Sequence, residues 1–134
     1  IYKIVGSKKS IHLEKFIKFP INFKNENLNT KWLDLIKIRD VCNLSIEKKR
    51  AEKIIGSSLE ASIKIRLDKE KFKIYKDIDF EELCITSNAQ VEQSKNNEIS
   101  AETFKAEGTK CPLCWKIRVG PCLRNGKKCL SLEN

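Results

Sequence analysis

The stretch KWLDLIKIRDVCNLSIEKKRAEKIIGSSLEASIKI, residues 31–65, contains the two patterns that decide the fold. Its first part has apolar residues at helical spacing, which predicts a long helix over 31–55. Asn29 or Thr30 can cap the start of this helix, and Gly56 stands where a helix end favours the left-handed conformation. The apolar face is predicted to contain Trp32, Leu35, Ile36, Cys42 and Ile46.

The second pattern is an alternation of polar and apolar side chains over residues 62–67, SIKIRL, which predicts a strand. Further along the chain, residues 68–80 are charged with apolar residues between and predict a short helix. Two more strands are predicted at 83–86 and 99–104, with a polar loop over 90–97. Glu81 and Glu82 have polar neighbours and are predicted to be solvated.

The stretch before the long helix has no sustained period and contains Pro20 and an asparagine-rich run. We therefore predict that residues 1–30 are an extended arm or linker. His12, the only histidine of the chain, lies in this part and is interpreted as structural, so a histidine-based catalytic site is not predicted. The sequence contains no methionine, which predicts a segment of a longer protein.

The composition is that of one globular domain with a small appendage: 134 residues, 15.5 kDa and 40% hydrophobic residues. No apolar run reaches the roughly 18 residues of a membrane span, and no signal peptide is evident, so a cytoplasmic protein without membrane contact is predicted. The lysine-rich composition favours a monomer. Between positions 105 and 128, seven basic residues accompany one acidic residue, Glu107, and this excess favours a polyanion such as nucleic acid.

Six cysteines fall into two groups. Cys42 and Cys84 have apolar neighbours and are predicted to be buried core thiols. The other four lie in the basic tail, where the CxxC spacing predicts a knuckle that binds Zn²⁺ through two thiolates. The predicted ligands of this structural, non-catalytic zinc site are Cys111, Cys114, Cys122 and Cys129, with free thiols as the alternative.

Trp115 directly follows the knuckle and can either pack on the zinc unit or stay exposed and stack on a base. An aromatic residue among basic residues is typical of proteins that bind single-stranded loops of RNA. The predicted RNA-binding residues are Trp115, Lys116, Arg118, Arg124, Lys127 and Lys128.

Together these patterns predict an α+β fold, with a long helix followed by a small mixed α/β unit and a C-terminal zinc-ribbon-like tail. The predicted organisation is an arm over 1–30, the helix and α+β unit over 31–107, and the basic tail over 108–134.

Several motifs, in order, resemble the C-terminal region of bacterial-type isoleucyl-tRNA synthetases. The segment SIHLEKF (10–16) is similar to the family's SVHL..FP motif. Residues 31–65 are similar to the late helix of the family, which leads into IGSSLEA and a strand. ITSNAQV (85–91) is similar to LTSGA.V, and AEGTKCPLCW (106–115) to A.GEKCPRCW. Leu113 replaces an arginine that is frequent in the family, and Asn125 stands where the fourth cysteine is expected, which leaves Cys129 as a displaced substitute.

The resemblance implies a class I synthetase that joins isoleucine to its tRNA with ATP, this segment serving the anticodon-binding side. It implies zinc bound by Cys111, Cys114 and Cys122, and Trp115 near the anticodon. The HIGH-type and KMSKS-type signatures are missing from the sequence, so ATP binding, catalysis and editing are expected in the remaining domains of the synthetase. The alternatives are a structural zinc-ribbon cap with little RNA contact and a zinc-ribbon module that binds DNA.

Overall fold

The structure is a computed structural model and describes residues 18–122. A 3₁₀ turn, Ile21–Phe23, precedes helix α1, Glu26–Ala51. A second 3₁₀ turn, Ser58–Glu60, leads into strand β1, Ala61–Leu67. The elements that follow are α2 (Lys69–Tyr75), α3 (Phe80–Cys84), β2 (Asn88–Gln93), β3 (Ser100–Lys105), β4 (Thr109–Lys110) and β5 (Ile117–Arg118).

The long helix is confirmed, but it begins and ends earlier than predicted. Asn25, rather than Asn29 or Thr30, is its N-cap, and the Asn25 side chain accepts a hydrogen bond of 3.0 Å from the Leu28 N–H. The helix ends at Ala51 because the chain turns at Lys53, which takes the left-handed conformation (φ +56°) expected for Gly56.

The buried stripe of α1 also differs from the predicted one. Its buried residues are Leu35, Ile38, Cys42 and Ile46. Trp32 and Ile36, which we placed on the same face, are exposed. At about 100° per residue they lie roughly 80° and 120° around the helix from Cys42, outside the stripe that packs on the sheet.

The strand predicted from the alternating pattern is confirmed as β1, and it lies at the centre of a three-stranded sheet. It pairs in parallel with β2 and antiparallel with β3. Every second residue of β1 is buried in the core, namely Ala61, Ile63, Ile65 and Leu67. The strand predicted at 99–104 and the short helix predicted within 68–80 are confirmed as β3 and α2.

Two predictions between residues 80 and 97 are wrong. The first half of the predicted strand at 83–86 is the end of helix α3, and Ile85 is the left-handed C-cap of that helix. The helix N-cap, Asp79, accepts a hydrogen bond of 3.1 Å from the Glu82 N–H. The predicted polar loop contains most of β2. As an edge strand, β2 packs only Ala89 and Val91 against the core and leaves its polar residues outward, so its composition is that of a loop.

The core lies between α1 and the sheet, and α2 and α3 complete it with Tyr75 and Phe80. Cys42 and Cys84 are both buried there, which confirms their prediction as core thiols. The hydrogen bond between them, together with burial, raises the pKa of Cys42, so this thiol stays protonated. The predicted α+β class is confirmed. Within residues 18–122, no helix combines the length and hydrophobicity needed to cross a membrane.

Candidate metal centre and nucleic-acid interface

The CxxC knuckle lies in a short antiparallel hairpin formed by β4 and β5, here called the cysteine hairpin (residues 109–118). The Cys111 N–H donates to the Lys116 carbonyl, and the Trp115 N–H donates to the Cys111 carbonyl, both at 2.9 Å. Trp115 closes the turn in the left-handed conformation, with φ of +62°. These bonds fold the knuckle tightly and bring the two thiols of CxxC together.

Three cysteines form a cluster that fits a metal ion. The Sγ atoms of Cys111, Cys114 and Cys122 all lie within 4.8 Å of one another, and those of Cys114 and Cys122 are 3.4 Å apart. Tetrahedral zinc with Zn–S bonds of about 2.3 Å needs sulfur atoms about 3.8 Å apart. The donor set and its spacing are therefore consistent with structural zinc. Cys129, the predicted fourth ligand, lies outside the described residues.

Lys116 is the least exposed charged residue of the cysteine hairpin and faces inward. Only 1% of the residue is accessible to solvent, and its Nζ lies 2.8 Å from Glu82 Oε1 and 3.4 Å from Glu81 Oε2. A buried ammonium group that forms two ion pairs cannot contact an RNA phosphate in this arrangement. The structure therefore does not support direct RNA binding by Lys116.

Arg118 points toward the same helix. Its guanidinium donates two hydrogen bonds to the Glu81 carboxylate, at 2.7 and 3.2 Å. Burial acts to raise the pKa of Glu81, but the hydrogen bonds and charges of Arg118 and Lys116 outweigh it, and the net pKa lies below its ordinary value. The interpretation of Glu81 and Glu82 as merely solvated residues is thus wrong. They are partners of cations more than 30 residues later, and no local pattern indicates such a pairing.

Ser87 provides a second attachment between the cysteine hairpin and the α/β unit. This fully buried residue accepts a hydrogen bond of 2.5 Å from the Ile117 N–H through its Oγ, and its hydroxyl donates to the Leu59 carbonyl. Nearby, the Ala106 N–H donates to the Glu60 carbonyl at 2.8 Å. Residues of the IGSSLEA and ITSNAQV motifs therefore fix the position of the cysteine hairpin.

Trp115 remains on the outer surface of the cysteine hairpin, with 60% of the residue exposed. Lys110 Nζ lies 5.8 Å from the centroid of its ring, a cation–π distance. Lys110 is absent from the predicted RNA-binding set, although it belongs to the basic run that was counted there. The hairpin pairing, which brings residues 110 and 117 together, gives it this position. Arg124, Lys127 and Lys128 lie outside the described residues, as does His12.

Comparison with curated proteins gives relatives over most of the chain, while no family model matches it. An isoleucine–tRNA ligase of Pelagibacter ubique is 58% identical over 126 residues, 93% of this chain and 14% of the relative. Those of Caldicellulosiruptor bescii and Gluconobacter oxydans are 41% and 32% identical over 70% and 84% of the chain, and 10% and 12% of the relatives. The chain thus spans about one seventh or less of the length of these relatives.

Relatives of this kind place the chain in the class of aminoacyl-tRNA synthetases. More narrowly, it belongs to the isoleucine–tRNA ligase family and corresponds to a C-terminal region of the bacterial type. The matched region is a small part of each relative, and these 134 residues alone lack the catalytic domain.

Proposed function

We propose that this chain is the tRNA-binding C-terminal segment of an enzyme that attaches isoleucine to its tRNA with ATP, and that the cysteine hairpin contacts the anticodon stem-loop. The observation that carries the proposal is the exposed Trp115 with Lys110 beside its ring, on a hairpin anchored to the α/β unit. ATP binding and catalysis belong to the remaining domains of the synthetase.

In this proposal zinc is structural. Cys111, Cys114 and Cys122 would hold the ion, with Cys129 as the proposed fourth ligand, and a set of four thiolates would close the site and organise the tail. A closed site leaves no position for substrate, so the metal shapes the binding surface and takes no part in bond-making.

The proposed RNA contacts divide by chemistry. Trp115 offers a flat aromatic face on which an unstacked base of the loop can lie. Lys110, Arg124, Lys127 and Lys128 supply positive charge for phosphates. Lys116 and Arg118 act indirectly, because their ion pairs with α3 hold the hairpin that presents Trp115.

The second candidate is a structural cap that contacts little RNA. The inward direction of Lys116 and Arg118 favours it, since two of the expected RNA contacts serve the attachment of the cysteine hairpin instead. We propose that in either case the enzyme works as a monomer in the cytoplasm. A cysteine cluster suited to holding a metal ion supports a reducing compartment of this kind.

Steady-state aminoacylation by the whole synthetase tests the proposal. Trp115→Ala and Lys110→Ala should each raise KM for isoleucine tRNA, the former about tenfold, because stacking of one base contributes roughly 1–3 kcal/mol. Lys73→Ala is the matched control, since Lys73 is an exposed lysine on α2. Activation of isoleucine with ATP, measured without tRNA, should stay unchanged. Wild-type KM values for both hairpin variants would contradict RNA reading and favour the cap.

A further inference from the structure

The described sulfur atoms of the metal cluster differ in their accessibility to solvent. Cys111 and Cys122 are buried, each with 6% of the residue exposed, whereas Cys114 is partly exposed. Leu113, directly before Cys114, is half exposed, so this side of the knuckle faces solvent. Among these three sulfur atoms, a small reagent in solution therefore reaches that of Cys114 first.

The sulfur of Cys114 has a second sulfur in contact with it. Its Sγ lies 3.4 Å from that of Cys122. A disulfide bond is about 2.0 Å long, so a relative movement of about 1.4 Å would join the two atoms. The backbone has room for this movement at Gly120, two residues before Cys122, because a Cβ there would meet no atom within 4 Å.

A bound metal ion keeps the sulfur atoms of the cluster reactive. A thiolate, rather than a thiol, is the nucleophile, and a cysteine that coordinates a metal is deprotonated. Cys42 and Cys84 differ in both respects. They are buried in the apolar core, and the hydrogen bond between them, together with burial, raises the pKa of Cys42. Oxidation by a reagent in solution should therefore occur at the cluster and not in the core.

We propose that Cys114 and Cys122 are an oxidisable pair, which a hydroperoxide converts into a disulfide with release of the metal ion. The Cys114 thiolate attacks one oxygen of hydrogen peroxide, so that an S–O bond forms, the O–O bond breaks and hydroxide leaves. The Cys122 thiolate then attacks the sulfur of this sulfenic acid, which forms the S–S bond and expels a second hydroxide. Two electrons pass from the sulfur atoms to the peroxide, and both hydroxides become water with protons from solvent.

The metal ion leaves because the disulfide removes two of its ligands. Zinc in a structural site is bound by thiolates, and the sulfur atoms of a disulfide carry no negative charge. Cys111 and the predicted ligand Cys129 would be too few donors for a tetrahedral site. The inference concerns only the chemistry of the sulfur atoms and does not depend on RNA contact by the cysteine hairpin.

Hydrogen peroxide added to the zinc-loaded whole synthetase tests the proposal, with released zinc followed by a coloured chelator and disulfides mapped by mass spectrometry. Trypsin separates Cys122 from the knuckle, because it cleaves after the basic residues Lys110, Lys116, Arg118 and Arg124. We expect peptide 111–116 to be linked to peptide 119–124, with fragmentation assigning the bond to Cys114. Zinc should be released in step with this disulfide, and a dithiol should reverse both changes. A disulfide between Cys111 and Cys114, or formation of the expected disulfide without zinc release, would overturn the proposal.

A cyclic 1,3-dione, which traps sulfenic acids, identifies the sulfur that is attacked first. Added together with peroxide, it should label Cys114 and lower the yield of the disulfide, whereas a label on Cys111 or Cys122 would contradict the proposed order. Cys42 and Cys84 are the internal control and should be oxidised at least about tenfold more slowly, because they are buried. Equal oxidation of the core cysteines would show unfolding rather than a selective pair and overturn the proposal. No tRNA is used, so the outcome is independent of the proposed function, whose failure appears in KM for isoleucine tRNA.

Discussion

Gly108 stands where the chain enters the cysteine hairpin, and its backbone permits the pairing that follows. Its φ of +119° lies in a region that residues with a Cβ avoid. A Cβ at this position would lie 2.0 Å from the Arg118 carbonyl oxygen, so the two strands approach too closely for any side chain. Gly120 has a positive φ as well, +91°, but a Cβ there would meet no atom within 4 Å. A side chain at Gly120 would therefore meet only backbone strain, whereas a side chain at Gly108 would meet both backbone strain and a steric clash.

We predict that Gly108→Ala destabilises the cysteine hairpin by at least about 2 kcal/mol, since conformational strain and overpacking add together. Gly120→Ala should cost only about 1 kcal/mol, from strain alone. Hydrogen exchange of the Lys110 and Ile117 amides, compared among wild type and both variants, measures the difference. Equal effects of the two substitutions would contradict the close approach of Gly108 to Arg118.

Helix α2 shows how one short element depends on the charge of its cap. Asp68 Oδ1 accepts a hydrogen bond of 2.8 Å from the Lys71 N–H, and Oδ2 forms an ion pair of 2.9 Å with Lys71 Nζ. The backbone bond, followed by the side-chain bond, lowers the pKa of Asp68. The ionised carboxylate thus stabilises the folded state, because the unfolded chain binds its proton more readily.

Because the pKa of Asp68 is lowered in the folded state, the stability of the protein should depend on pH in the acidic range. The contribution of Asp68 to stability is complete above its ordinary pKa of about 4 and is lost as the pH falls through the lowered pKa. Asp68→Asn retains a capping side chain without the charge, so it should be less stable than wild type at pH 7. The difference in free energy of unfolding, measured by denaturant titration, should shrink as the pH falls from 5 toward 2. A difference that stays constant over this range would refute the assignment.

At the scale of the whole molecule, residues 18–122 contain two packed units that depend on different chemistry. The large core between α1 and the sheet consists of apolar side chains, whereas the described core of the tail consists of Cys111, Cys122 and the adjoining Cys114. Contacts of Glu81, Glu82 and Ser87 join the two units. Metal binding should therefore order the tail without being required for the main core.

Removal of metal tests this division. We predict that a chelator increases hydrogen exchange in residues 109–118 by at least tenfold and leaves the buried half of α1 protected, because zinc replaces a hydrophobic core only in the tail. Cys114→Ser should reduce bound zinc per chain, whereas the matched variant Cys84→Ser, in the apolar core, should retain it. Loss of α1 protection on chelation would show that the metal supports the whole fold.

Much of the fold follows from patterns that act over a few residues. Alternation predicted β1 and the helical period predicted α1, because side-chain direction depends on local backbone geometry. The same reasoning failed at β2, whose polar residues are tolerated only because the strand lies at a sheet edge. The starting point of α1 was also misplaced, because several asparagines precede it and each can serve as an N-cap.

The candidate site divides along the same line. Only two residues separate Cys111 from Cys114, which restricts both thiols to one tight turn, so the residues themselves were enough to predict a metal-binding knuckle. The direction of Lys116, toward Glu82 or toward solvent, depends on a residue 34 positions away, and only the packing of the hairpin on α3 decides it. Burial and ion pairing depend on contacts between segments that are distant in the sequence. For that reason only the tertiary structure shows that Lys116 and Arg118 hold the hairpin in place, whereas Trp115 stays exposed.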